Sequence, residues 1–317
     1  MDREEIHLIS RYSNWSEKGV EQELAEHIYA SPHAWRRFLY FLFISMGVGF
    51  TMAGIVFFFA YNWADLPKFV KIGMVEAGII CLTGFILLSK FNQSIKDIVL
   101  TGTSVLVGVL FVVFGQIYQT GANTYDFFLV WTVFISLWVI VSNYAPLWLI
   151  YLTLINTTVV FYSQQVAHYW SSLFIFTILF FINVLCLVIS IYVSKTKADF
   201  KVPGWFTKAI ALAAVTFSTI GISIGIHNKF ETSFAILQFA VIVFYAAGLK
   251  YGLTIKSRFY LSIIPFSVII ILTSLLIEIS EDQAMWLFVS AFVIVSVTLV
   301  IKFLTGIQQK WDYEQRL

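Results

Sequence analysis

Residues 127–162 read FFLVWTVFISLWVIVSNYAPLWLIYLTLINTTVVFY, an apolar passage broken near its middle by Ser142-Asn143-Tyr144-Ala145 and Pro146. A spanning helix needs roughly 20 mostly apolar residues, with a range of about 17–25. The passage is therefore either one kinked span or two spans joined by a tight turn. Pro146 suits the first turn of a new helix, because its missing N–H would have no partner there in any case. Two spans are expected, 127–143 and 145–162.

Charge supports that count. Further apolar runs occupy 39–60, 68–89, 98–118, 170–193, 208–227, 233–250, 259–277 and 284–304. Cytoplasmic loops are enriched in Lys and Arg. With ten crossings and the N-terminus inside, every Lys and Arg except Lys68, Lys71 and Lys229 falls on the inner side. Merging the two central spans would put Lys195, Lys197, Lys201 and Lys208 outside. Tyr61, Trp63, Tyr118, Tyr125, Trp131, Tyr169, Trp170 and Trp286 fall at one interface. Trp35, Tyr144, Trp148, Trp205, Tyr251 and Tyr260 fall at the other, at the headgroup depth such side chains favour.

Composition agrees. Of 317 residues, 59% are hydrophobic and only 12% charged, about half the usual charged share of a soluble domain. Mean hydropathy is +0.85. A soluble enzyme, a nucleic-acid binder and a disordered chain are excluded. Net charge of +2 does not call for a polyanionic partner. Cys81 and Cys186 lie inside apolar runs and make no disulfide framework. Strict two-residue alternation is absent, which excludes a membrane β-barrel. The expected fold is all-α: a polytopic transmembrane helix bundle of about ten spans, preceded by a short cytoplasmic helical hairpin.

That hairpin is expected within residues 1–37, which carry Asp2, Glu4, Glu5, Glu17, Glu21, Glu23 and Glu26 with five basic residues. Asp2 and Glu5 have capping-box spacing, and Ile6 and Ile9 follow at helical spacing. Ser16 is a cap for a second helix with Val20, Leu24 and Ile28 on one face. Ser31-Pro32 reads as a cap and first-turn proline leading into the first span. Three segments follow: a cytoplasmic helical segment (1–37), a transmembrane domain (38–305) and a cytoplasmic tail (306–317). No signal peptide opens the chain, so the first span is expected to act as its own insertion signal. The bilayer is the expected surrounding, and residues 1–37 are a candidate dock for a cytoplasmic protein. No nucleic-acid partner is expected.

Candidate ligand- or ion-binding residues are few. Glu76 lies within the second run, about 12 Å from its outer end at 1.5 Å per residue. An ionisable group at that depth usually faces a cavity or a partner. Three readings stand open: a protonated packing group, a proton- or cation-linked site, and a contact toward Lys71. Gly73 and Ala77 beside it, with Gly84 beyond, are a small-residue stripe suited to close helix packing. The third run closes with Gly115-Gln116-Ile117-Tyr118-Gln119-Thr120-Gly121-Ala122-Asn123, and Tyr125 and Asp126 follow. Gln116, Gln119, Asn62, Asn123 and Asp126 share one predicted side with the mouth above Glu76, and an outward-facing polar vestibule is expected there. The alternative is an interfacial loop with side-chain caps. Gly221 and Gly225 have GxxxG spacing. Glu278, Glu281 and Asp282 form an acidic outer loop, with His168 and His227 near the same face. There is no HExxH, paired His/Cys spacing, P-loop or GxSxG, so no catalytic residue, metal ligand or cofactor is expected.

Phe59-Ala60-Tyr61-Asn62-Trp63 and, further on, Gly115-Gln116-Ile117-Tyr118-Gln119-Thr120-Gly121 resemble the bacterial membrane-protein family catalogued as domain of unknown function 2157. The resemblance covers roughly residues 1–160. It implies a bacterial integral membrane protein with a short polar helical N-terminus, in the cytoplasmic (inner) membrane, and it brings no catalytic residues. A non-catalytic membrane scaffold or sensor is the first expectation. A proton- or cation-linked small-molecule transporter using Glu76 is the second. An intramembrane enzyme with Glu76 or Asp126 as acid/base is a third, for which no partner group stands at fixed spacing.

Overall fold

The computed structural model describes every residue except 1–2, 28, 30, 63, 120, 197–201, 229–231, 280–282 and 317. It describes only the backbone of 3–5, 7, 8, 26, 27, 283, 284, 312, 315 and 316. Twelve helices stand among the described residues. They are α1 (Arg3–Tyr12), α2 (Glu17–His27), α3 (Pro32–Tyr61), α4 (Lys68–Leu88), α5 (Gln93–Tyr118), α6 (Thr124–Ser142), α7 (Ala145–Gln165), α8 (Ser172–Thr196), α9 (Gly204–His227), α10 (Thr232–Thr254), α11 (Arg258–Ile279) and α12 (Gln283–Arg316). The last ten are each long and apolar enough to cross a bilayer, and they match the ten apolar runs one to one. The backbone of a lipid-embedded segment must satisfy its own hydrogen bonds, so these runs are helical.

Local chemistry sets several helix ends. The Ser16 hydroxyl accepts from the Gly19 N–H, and the Ser31 hydroxyl accepts from the Ala34 N–H, each at 3.2 Å. Pro32 stands at the start of α3, as its fixed φ favours. The α6–α7 turn is built by Asn143, which closes α6 in the left-handed conformation at φ 52°. Asparagine tolerates that region better than most residues. The two helices then run antiparallel. Ser136 meets Tyr151, Phe128 stacks on Phe161, and the Tyr125 N–H donates to Gln165, so partners stay at a nearly constant sum of residue numbers.

The chain falls into two compact units, Met1–Thr120 and Gly121–Leu317. In the first, α1 and α2 pair, with Ile6 and Leu24 buried, while Ile9 is exposed. The Asp2–Glu5 cap and the Ile28 position lie outside the described residues or side chains. α5 packs against both α3 and α4. Gly102 of α5 lies so close to Val48 that an added Cβ would overlap it. Phe59, Val75, Val113 and Ile117 form the buried cluster joining all three helices.

In the second unit α9 is the central helix, packed on α8, α10 and α11. Leu173, Phe180, Ala214, Val215, Ile222, Leu237, Val241, Tyr245 and Ile264 make one continuous core. The Gly221/Gly225 spacing is a genuine packing face. A Cβ on Gly221 would come within 2.8 Å of Leu237, and one on Gly225 would overlap the Phe234 ring. Residues 306–316 continue α12 without a break. Lys256 pairs with Glu314 at 3.0 Å, and Arg258 donates to Gln308 at 2.8 Å.

Candidate functional site

The sequence-derived residues divide between the two units. In the first unit, Phe59 packs with Val113 and Ile117, which brings Asn62, Gln116 and Gln119 to one end of α3 and α5. Asn62 is half-buried, and its side-chain amide donates to the Phe58 carbonyl at 2.9 Å, so it caps α3. Gln116 and Gln119 are exposed, and Gln119 closes α5 in the left-handed region. Trp63 lies outside the described residues.

Glu76 is exposed on α4. Val75 and Gly78 make the α4 contact with α5, so Glu76 does not point into that interface. α4 and α5 pack as antiparallel neighbours, with Glu76 outside their contact. Lys71 and Glu76 are five residues apart, or about 140° around the helix at 100° per residue. Lys71 is buried and Glu76 is exposed, so the two side chains face different surroundings. Gly73 and Gly84 have open space where a Cβ would stand, so within this unit the small-residue stripe is unpacked.

In the second unit, the Asp126 carboxylate accepts from the Asn123 N–H at 3.0 Å, and the Gln165 side chain accepts from the Tyr125 N–H at 2.9 Å. Both bonds satisfy donors at the start of α6 that would otherwise lack partners. Asn123 and Asp126 therefore serve as helix-end chemistry here. The Glu281–Asp282 part of the acidic loop lies outside the described residues.

Two charged residues are buried in the first unit. Lys71, weighed from the sequence only as a contact for Glu76, is one. The other, which sequence reading passed over, is Asp97, which accepts from the Gln93 side chain at 2.8 Å. α5 begins at Gln93, five residues before the apolar run, and this brings Asp97 inside the helix.

Sequence reading also passed over a polar stripe in the second unit. Thr219, Ser223 and His227 recur every fourth residue on α9, and Ser267, Ser274 and Glu278 recur at seven and four on α11. Each spacing keeps its residues on one helix face. The two helices are parallel, because Thr219 meets Ser267, and His227 meets Ser274 and Glu278. At the buried end, Ser218, Thr219, Tyr245 and Ser267 form a closed hydroxyl cluster. Ser218 and Thr219 also approach the Val215 carbonyl. The contacts outnumber the hydroxyl protons by one. Ser218 and Thr219 donate to the Val215 carbonyl, at 2.9 and 2.6 Å, so the protons of Tyr245 and Ser267 serve the three contacts among the four hydroxyls.

A cavity of about 480 Å³ opens beside this cluster, lined by Thr219, Ile220, Ser223, Ile224, His227, Asn228 and Ile270. The Ser223 hydroxyl is buried and has no hydrogen-bond partner. At the mouth, His227 Nδ1 lies 2.8 Å from the Ser223 carbonyl, and Nε2 lies 3.4 Å from Glu278. Among the described residues, no three His, Cys, Asp or Glu side chains are grouped to hold a metal ion.

Ten apolar helices with buried polar clusters between them define a multi-pass integral membrane protein. Residues 14–148 match the family described as Predicted membrane protein (DUF2157), which bears out the resemblance carried by the Asn62 and Gln116–Gly121 strings. The chain matches no curated protein and no solved structure.

Proposed function

We propose that this protein is a non-catalytic membrane scaffold or sensor of the bacterial cytoplasmic membrane, with both termini in the cytoplasm. The observation that carries the reading is the α1–α2 pair. It is a helical module placed before the first span, with Ile6 and Leu24 buried and Tyr12, Trp15 and Tyr29 exposed. A polar helix pair with surface aromatics suits docking of a protein partner, because such side chains combine large contact area with little entropy loss. The bias of Lys and Arg supports a cytoplasmic position for this module. Asn62, Gln116 and Gln119 in the first unit, and separately Asn123 and Asp126 in the second, are retained as candidate ligand contacts. Glu76 is retained as the group a proton- or cation-linked transporter would use.

The test is photocrosslinking in cells from a reactive residue placed at Tyr12 or Trp15 of the full chain. A discrete adduct is expected, and Leu24→Asp should abolish it by breaking the module. A control position at Tyr192 should not reproduce it. Loss of the adduct with no change in membrane level would support docking; equal adducts at all positions would contradict it.

A further inference from the structure

We propose that the cavity bounded by α6, α7, α8 and α9 holds one acyl chain of an anionic phospholipid, with the headgroup against the starts of α7 and α9. The site is separate from partner docking at α1–α2, and only its leaflet rests on the topology proposed above.

The cavity has a volume of about 450 Å³, within the range of about 300–1,000 Å³ usual for small-molecule sites. Its wall on α8 is Cys186, Ile189, Ser190 and Val193, the spacing of one helix face. Ala145, Trp148 and Leu152 repeat that spacing on α7. Each wall runs from the helix end inward for about 10 Å, at 1.5 Å per residue. That depth is about a third of a hydrocarbon core roughly 30 Å thick.

The lining fits a hydrocarbon chain. Ile140, Leu152, Ile189, Val193, Phe206 and Ile210 supply apolar surface. The Ser190 hydroxyl already donates to the Cys186 carbonyl at 2.7 Å, so it has no spare proton for a polar ligand. Among the described residues, the lining holds no charged side chain. Water in such a space would lack the polar partners it needs, whereas an acyl chain gains dispersion contacts along its length. Ile140 and Ile189 are 65% and 51% exposed, so the cavity opens sideways to the bilayer between them. A chain can enter there without leaving the hydrocarbon.

The mouth fits an anion. Ala145 opens α7, Pro203 immediately precedes α9, and both line the cavity. Neither helix start carries a side-chain cap, so both positive helix ends are presented to a ligand at one level. Asn143 adds an exposed side-chain amide at the same end. From 195 to 204 the sequence holds Lys195, Lys197 and Lys201 against Asp199, of which only Lys195 is among the described residues. A phosphodiester held at the membrane surface by its own chains matches this charge.

The experiment uses Trp148 as reporter, because it lines the cavity. The full chain is placed in phosphatidylethanolamine vesicles with a rising fraction of phosphatidylglycerol brominated near the headgroup end of its chains. Bromine quenches indole fluorescence at short range, and the Trp148 share is the difference between the natural chain and Trp148→Phe. Half-quenching of that share is expected at a mole fraction about fivefold below that of the other tryptophans, the preference that one favourable charge contact gives. Brominated phosphatidylethanolamine should show no such preference. Ser190→Phe fills the cavity and should abolish the preference, while Val188→Phe, exposed and outside the lining, should keep it. Should Ser190→Phe not fold, Ile189→Phe gives the same readout. Quenching of Trp148 in step with the other tryptophans would overturn the proposal. So would equal preference for the two lipids, a preference that the cavity-filling variants leave intact, or a stronger response to brominated stearate, which would assign the site to a free fatty acid. Both leaflets carry the probe, so the outcome does not depend on the face at which α7 and α9 begin; a reporter fused after Gly204 tests that separately.

Discussion

Asn156 and Asn183 exchange side-chain amide hydrogen bonds across α7 and α8, at 3.1 and 3.4 Å, and Asn183 also donates to the Leu179 carbonyl at 2.8 Å. Asn183 is fully buried. Replacing Asn183 with Leu removes the pair and leaves Asn156 without it. A loss of about 1 kcal/mol is expected, in line with interhelical hydrogen bonds in membranes. The double change to Leu should recover part of that loss. A double-mutant cycle in thermal or denaturant unfolding measures the coupling.

Gly225→Ala should lower stability by about 1–3 kcal/mol, because the new methyl would overlap the Phe234 ring. Gly73→Ala is the contrast, since no atom stands within 4 Å of a Cβ there. Its melting temperature should be unchanged or slightly higher. Equal effects at the two sites would contradict the packing of α9 on α10.

Tyr245→Phe removes the hydroxyl that joins Ser218 to Ser267. Buried groups that lose a partner cost about 1–3 kcal/mol. The same substitution at Tyr192, which is exposed, should be silent in the same unfolding assay.

Exposure on α4 separates the two roles of Glu76. Glu76→Gln and Glu76→Leu should both fold and reach the membrane at normal level, with stability changed by less than about 0.5 kcal/mol. A strong destabilisation by Leu would show that the carboxyl is a packing group. If the site works by protonation, Gln alone should abolish function at normal protein level.

Reporter fusions test the topology. One placed after Gly204 should read cytoplasmic and one after Ser280 external. A cytoplasmic signal at 280 would remove the alternation on which ten crossings and a shared side for the termini depend.

The spans were legible because hydropathy is a one-dimensional property and lipid forces each apolar run into a helix. The caps at Ser16 and Ser31 and the turn at Asn143 were legible because their partners lie within a few residues. The inward face of each span was not. Lys71 and Glu76 sit in one apolar helix, and only its packing in the fold puts the lysine inside and the glutamate outside. The same limit hid the hydroxyl cluster. Ser218, Thr219, Tyr245 and Ser267 are scattered across three runs and become one group only when α9, α10 and α11 pack. Four-residue spacing of Thr219, Ser223 and His227 was the available signal.

α12 has one further consequence. At 34 residues it is about 51 Å long, well beyond the roughly 30 Å of a hydrocarbon core. Its last turns are braced through Glu314 to Lys256 in the α10–α11 connection and through Gln308 to Arg258 at the start of α11. A protein fused there through a continuous helix would be held as on a stiff mast. Each residue inserted would swing the cargo by about 100° and lift it by about 1.5 Å, so azimuth could be dialled one residue at a time.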